Sequence, residues 1–231
     1  MRDAIILAGG IGTRLKAVVP DLPKPMAPIG DRPFLEILLA FLDRNQFNRV
    51  VLSLGYKANL IVDYFGSHFG DMDLIYEIEH TALGTGGALQ TSMAHCISDH
   101  VFIFNGDTYL DLEVQKAEEQ WQTYRLPMVI AREVSDTTRY GRLVTAGDII
   151  IDFMEKGIGG PGLINAGCYI FPRTITAEFP LMKSFSLEKD FLAPAVKKIS
   201  IQFFQSRGKF IDIGIPEDYA KAQHELRHIS H

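Results

Sequence analysis

The chain has 231 residues, 47% hydrophobic and 22% charged, which is the balance of a globular fold and excludes a disordered or fibrous chain. A net charge of −5 excludes a broad basic face, so no nucleic acid and no membrane surface is expected as a partner, and any phosphate chemistry must draw on a local cluster of cations. Its two cysteines, Cys96 and Cys168, lie far apart and form no CxxC, which excludes zinc ribbons and disulfide frameworks and makes a reducing cytoplasm the expected compartment.

The N-terminus lacks the long apolar region of a signal peptide, and no apolar run approaches the ~20 residues of a membrane span. Ala4 to Ala8 is a short continuous apolar run ending in glycines, the pattern of a strand buried on both faces. A loop rich in Gly and Pro follows from Gly9 to Gly30. Asp31 is expected to cap a helix over about Pro33 to Asn45 whose apolar residues are too many for a surface helix. Strands are expected at Arg49 to Leu54, Leu74 to Ile78 and Val101 to Phe104, with helices at Lys57 to Phe65 and Gly84 to Ala94. Such alternation predicts right-handed crossovers and a parallel sheet covered on both faces. The second half changes texture. Met128 to Glu133, Gly141 to Val144, Ile149 to Glu155 and Gly162 to Phe171 read as strands joined by short turns, so some antiparallel pairing is expected. Helices at Asp190 to Lys198 and Pro216 to Arg227 finish the chain. No repeat or long linker divides it, and the expectation is one α/β domain with a mixed, mostly parallel sheet and helices on both faces.

The strongest local feature is Leu7-Ala8-Gly9-Gly10-Ile11-Gly12-Thr13-Arg14-Leu15, followed by Pro23-Lys24-Pro25. Glycines directly after a buried strand let the backbone approach a ligand, and their N–H groups can converge on phosphate oxygens. Arg14 can take a phosphate bidentately, and Lys24 between two prolines is a positioned point charge. The alternative is a tight turn with solvated cations. A dinucleotide fingerprint would need a third glycine, and a Walker loop would need Gly-Lys-Ser/Thr; neither is present.

Asn105-Gly106-Asp107 ends an apolar strand, which sets Asp107 at the sheet edge that also carries the glycine loop. Magnesium prefers one or two carboxylates together with phosphate oxygens and water. Asp212 is a second acid in apolar flanks, where it is costly unless paired or bound to a cation. A turn-forming role for Asp107 and an edge or capping role for Asp212 stay open. Three glycines in Leu83-Gly84-Thr85-Gly86-Gly87 leave room for a flat ligand such as a base, or for a flexible helix entry. His224-Glu225-Leu226-Arg227-His228 matches H-E-x-x-H, but the better expectation is a solvated helix end.

Taken in order, Ala-Gly-Gly-x-Gly-Thr-Arg-Leu, Pro-Lys-Pro, Leu-Gly-Thr-Gly-Gly, Asn-Gly-Asp, Glu-Lys, Asn-Ala-Gly and Asp-Ile-Gly-x-Pro-Glu resemble the nucleotidyltransferases that act on sugar 1-phosphates. The similarity runs from Ala4 to about Tyr219. Within that family the motifs resemble the D-glycero-α-D-manno-heptose 1-phosphate guanylyltransferase branch, with Ala82 at a position where that branch often carries proline. The resemblance implies a Rossmann-like nucleotidyltransferase fold, with a nucleotide-binding half over about 1–110 and a sugar-phosphate-binding half over about 111–231. It implies that Leu7, Ala8, Gly9, Gly10, Gly12 and Thr13 cradle the nucleotide. Arg14 would engage the departing pyrophosphate, Lys24 the α-phosphate, and Glu79, Gly84 and Thr85 the base and ribose. Asp107 and Asp212 would bind Mg2+. Gly141, Glu155 and Asn165 would hold the sugar, with Lys156 at its phosphate. GTP and the heptose 1-phosphate are the implied substrates, and a homodimer is allowed. UTP or dTTP with another sugar 1-phosphate, or a nucleotide-sugar sensor without catalysis, are the alternatives.

Overall fold

The computed structural model describes every residue except Ile11, Glu155, Leu181, Met182, His228, Ser230 and His231. The elements of the first half are β1 (Asp3–Ala8), β2 (Pro28–Ile29), β3 (Arg32–Pro33), α1 (Phe34–Arg44), β4 (Arg49–Leu54), α2 (Ala58–Phe65), β5 (His68–Phe69), β6 (Met72–Ile78), α3 (Gly84–Met93), β7 (His100–Asn105) and β8 (Thr108–Leu110). The second half holds α4 (Val114–Tyr124), β9 (Met128–Val134), β10 (Arg142–Ala146), β11 (Ile149–Met154), β12 (Gly162–Pro172), α5 (Ala193–Ala195), β13 (Ile201–Ser206), β14 (Phe210–Asp212) and α6 (Pro216–Glu225). One ten-stranded sheet runs through both, in the order β10-β11-β13-β9-β12-β7-β1-β4-β6-β5. The run β7-β1-β4-β6 is parallel, as the alternating texture predicts. Beyond it, β12 pairs antiparallel with both β7 and β9, and β13 returns parallel to β9.

Period-2 alternation, with both faces covered, explains the apolar runs within the central strands. On β1, Ala4, Ile6 and Ala8 enter one core layer while Ile5 enters the other; on β7, Phe102 and Phe104 oppose Val101 and Ile103. The first layer is filled by α1, whose Phe34, Leu35, Ile37, Leu38, Leu39, Phe41 and Leu42 are all buried. Fully burying a side chain of this kind stabilises by roughly 1.5–3 kcal/mol. Leu89, Phe185, Leu187, Phe191 and Leu192 fill the opposite layer.

Three expectations are corrected. The sheet is mixed, as expected, but parallel pairing is confined to β7-β1-β4-β6 and to β13 with β9, so it is not mostly parallel. Asp31 does not cap α1: the chain pairs β2 with β3 in a small hairpin, Pro33 precedes the first turn, and the Phe34 N–H is satisfied by the Ala27 carbonyl at 2.9 Å. The helix expected from Asp190 is a π-helical turn over Leu187–Leu192 that runs into the single turn of α5; Pro194 supplies no N–H to a regular ladder. The helix α4 and the strands β8, β13 and β14 have no counterpart in the sequence reading. No described helix is long and apolar enough to cross a membrane.

Candidate active site

The glycine loop leaves the carboxyl end of β1, next to the ends of β4 and β7, where open α/β sheets bind their ligands. Two close approaches fix its course. The Gly106 N–H donates to the Leu7 carbonyl at 2.9 Å, tying the Asn-Gly-Asp turn to the loop. Gly12 adopts φ +64°, and a Cβ there would lie 3.0 Å from the Lys24 Cβ, so the loop folds directly over the Lys24 stem.

A cleft of about 420 Å³ opens at this edge. It is lined by Leu7, Ala8, Gly9, Gly10, Gly12, Thr13, Arg14, Lys24, Glu79, Gly84, Thr85 and Asp107, with Asn105, Gly106 and Gly214 alongside. Every described residue expected from the sequence on the nucleotide side therefore meets in one place. Lys24 Nζ donates to Asp107 Oδ2 at 2.6 Å, with its side chain 10% exposed. Arg14 is exposed on the cleft rim and makes no ion pair among the described residues. Glu79 is half held: its Oε2 accepts the Leu83 N–H at 3.0 Å and its Oε1 the Ser53 hydroxyl at 3.3 Å.

Asp212 reaches Asp107 through strand pairing. In the β8–β14 ladder Thr108 faces Asp212, and the Ile213 N–H donates to the Asp107 carbonyl at 2.9 Å. The Gly214 N–H donates to Asp212 Oδ1 at 2.6 Å. Burial first, and then the negative charge of Asp107, lift Asp212 above the usual aspartate range; Lys24 opposes the shift. Two carboxylates near enough to feel each other's charge, one of them destabilised as an anion, fit a hard divalent cation, although Asp212 itself lines the neighbouring hollow with Tyr140 and Asp218 rather than the cleft. Among the described residues no cluster of three or more His, Cys, Asp or Glu side chains forms, so phosphate oxygens and water would complete the coordination shell.

Of the residues expected to hold the acceptor, Gly141 and Asn165 come together away from the glycine loop. The registers Arg142↔Met154 and Arg142↔Ile164 bring Gly141 and Asn165 together at the start of the β10–β11 hairpin. A register shift in β12 after Asn165 lets Gly167 take φ +69°, and a Cβ on Gly167 would meet Asn105 Nδ2 at 2.5 Å. That close approach sets the Asn165 bulge beside a residue of the glycine-loop cleft. Lys156 is exposed beyond β11, and Glu155 lies outside the described residues.

The glycines after β6 do a different job from the one the sequence suggests. Gly84 lines the cleft, but the room at Gly86 and Gly87 is filled by the chain at 183–185. The Gly86 N–H donates to the Phe185 carbonyl at 2.9 Å and the Phe185 N–H to the Leu83 carbonyl at 3.0 Å. A Cβ on Gly86 would overlap the Phe185 ring. Sequence reasoning also missed Glu188, which binds Thr85 of the cleft; nothing in a charged Leu-Glu-Lys-Asp stretch sets that acid apart. The H-E-x-x-H match is no metal centre among the described residues: Glu225 pairs with Lys209 and Lys221, each at 3.6 Å, and His228 lies outside them.

A mixed sheet whose parallel strands end in a glycine loop, with a clamped Lys–Asp pair and a second carboxylate nearby, is the arrangement of an anion-binding α/β fold. A model of the family described as Nucleotidyl transferase matches residues 3–228, and the chain belongs to that family. It is 40% identical over 227 residues to the D-glycero-alpha-D-manno-heptose 1-phosphate guanylyltransferase of Aneurinibacillus thermoaerophilus, a match covering 98% of this chain and 99% of that one. The enzyme of the same description from Campylobacter jejuni is 39% identical over 218 residues, covering 94% of this chain and 96% of its own. The crystal structure of HddC from Yersinia pseudotuberculosis complexed with GMP-PN superposes with a TM-score of 0.87 at 39% identity, covering 98% of this chain and all of that one.

Proposed function

We propose that this chain transfers GMP from GTP to D-glycero-α-D-manno-heptose 1-phosphate, releasing pyrophosphate and forming the GDP-sugar. The observation that carries the proposal is the cleft in which the glycine loop, Arg14, Lys24 and Asp107 meet, with Asp212 close enough to Asp107 to feel its charge. The full-length identity to two enzymes of that description supports the choice of substrates. Guanine is favoured further by Glu79. An acceptor-only carboxylate at the cleft suits the N1–H and 2-amino donors of guanine, which uracil and thymine do not present together.

In this mechanism an oxygen of the sugar 1-phosphate attacks the α-phosphorus. A new P–O bond forms, the bond from the α-phosphorus to the bridging oxygen breaks, and pyrophosphate leaves in line. The nucleophile is already anionic, so no strong base is needed. The difficulty is bringing two anions together, and positioning and charge neutralisation answer it. Lys24 neutralises the α-phosphate, and Arg14 on the rim receives the departing pyrophosphate. Gly141, Glu155 and Asn165 hold the sugar, and Lys156 its phosphate. Asp107 and Asp212 would hold Mg2+, which when bound supplies further positive charge to the phosphates. The two halves, about 1–110 and 111–231, thus divide the nucleotide from the acceptor. A cytoplasmic location follows from the substrates, both of which are intracellular phosphate esters.

The test is pyrophosphate release, coupled to pyrophosphatase, over a panel of GTP, UTP, dTTP and ATP with heptose, mannose and glucose 1-phosphates. The expected result is turnover with GTP and the heptose phosphate well above every other pair. Tight nucleotide binding with no pyrophosphate from any pair would instead mark a sensor.

A further inference from the structure

The π-helical turn over Leu187–Leu192 carries a carboxylate that joins both halves of the site. Glu188 Oε2 accepts the Thr85 hydroxyl at 3.0 Å and the Ser186 hydroxyl at 3.1 Å. Glu188 Oε1 accepts the Tyr169 hydroxyl at 3.1 Å, and Tyr169 is fully buried. Tyr169 in turn accepts from Asn165 Nδ2 at 2.8 Å. Thr85 lines the nucleotide cleft, and its oxygen also accepts the Leu187 N–H at 2.8 Å.

The polarity of this chain can be worked out from its ends. A backbone N–H only donates, and the Gly167 N–H points at Asn165 Oδ1 at 2.9 Å. The Asn165 amide is therefore fixed with its nitrogen toward Tyr169. The phenol must accept there and pass its own proton to Glu188. Burial, and then the Glu188 charge, push the Tyr169 phenol well above its ordinary value, so it stays a donor. Three hydroxyl donors converge on one side chain, and only a group that accepts at both oxygens satisfies them all. An amide in the same place would keep its oxygen toward Thr85 and Ser186, where two donors converge, and turn its NH2 toward Tyr169, so the Tyr169 arm would lose its acceptor.

We infer that Glu188 is a positioning residue: through Tyr169 it locks the Asn165 amide in one orientation for the acceptor sugar, and through Thr85 it links that orientation to the nucleotide cleft. So held, the Asn165 amide has a second N–H and a second lone pair beyond those two bonds, a donor and an acceptor that sugar hydroxyls can use. The inference rests on the proposal that Asn165 faces the acceptor sugar phosphate.

The test compares Glu188→Gln, Tyr169→Phe and the double variant with the wild type, varying GTP and sugar 1-phosphate separately. Tyr169→Phe cuts the acceptor arm alone and should raise the KM for sugar 1-phosphate about tenfold, while kcat and the KM for GTP stay within about twofold. Glu188→Gln should raise the same KM by at least as much, and adding Tyr169→Phe to it should change that KM no further. Folded variants whose sugar-phosphate KM is unmoved, or whose effects multiply in the double variant, would overturn the inference. Crystal structures of the wild type and Glu188→Gln give a readout independent of turnover. Loss of the Tyr169 contact at position 188 is expected, and that contact retained with Asn165 unmoved overturns the relay. If the wild type releases no pyrophosphate, the functional proposal fails while the relay is still judged by those structures.

Discussion

Replacing Lys24 with alanine removes the cation that sits 2.6 Å from Asp107 Oδ2 at the floor of the cleft. Unit charges about 4 Å apart interact by roughly 4 kcal/mol in surroundings of effective dielectric about 20. Asp107 is 36% exposed, so solvent screens part of that. A loss of about 2.7–4 kcal/mol of transition-state stabilisation, or about 10²–10³ in kcat, is the scale for deleting one such electrostatic contact. The same change removes the countercharge that Lys24 offers to Asp107 and to Asp212. Asp212 is already raised, so the folded state holds more protons than the unfolded one through the window above the ordinary aspartate value, and stability falls as pH rises across it. Losing Lys24 should deepen that fall. The checks are pyrophosphate release with GTP and heptose 1-phosphate, and thermal melts from pH 4 to pH 8. A folded Lys24→Ala variant with kcat/KM within about tenfold of the wild type, where loss of a charged partner should cost more, would refute the electrostatic argument.

Asp212→Asn should raise the melting temperature at neutral pH, because it removes the buried repulsion with Asp107. About 1 kcal/mol would appear as 2–4 °C in a chain of this size. The same variant should need more Mg2+ for pyrophosphate release, and an unchanged Mg2+ titration would remove Asp212 from the proposed metal site. Gly86→Ala forces a methyl into the Phe185 ring and should destabilise by about 1–3 kcal/mol, with Phe185→Leu restoring part of the loss in melts of the double variant. Burial pushes the Cys96 thiol up to about 12 and raises the fully buried Cys168 as well, so a thiol reagent at pH 8 should label both only after unfolding. Rapid labelling of the native protein would contradict that burial.

What the sequence disclosed and what it hid follow from the range of the interactions. β1 and β7 are legible because strands buried on both faces must be apolar at every position, and the glycine loop is legible because its backbone demands rare residue types. α4 escaped because its inward stripe is Val114, Ala117, Glu118 and Trp121, and a charge in the fourth-residue pattern masks the periodicity. Glu118 is tolerated there because Arg2, the residue before β1, and His100, on β7, meet it at 2.7 Å and 3.1 Å. On the nucleotide side the motifs named the lining well, since each residue sits in its own short signature. Glu188 and the strap at 183–185 come from a segment about a hundred residues beyond Thr85, and no local pattern could announce them.

The pairing of β8 with β14 has a consequence for synthesis. A ribosome that has released the first half of the chain has already supplied the glycine loop, Lys24 and Asp107. The partner carboxylate arrives only with Asp212, after β9, β12 and β13 have extended the sheet. A nascent fragment therefore carries most of the phosphate cradle without the second acid, and is expected to leave the cell's triphosphates intact until translation is nearly done.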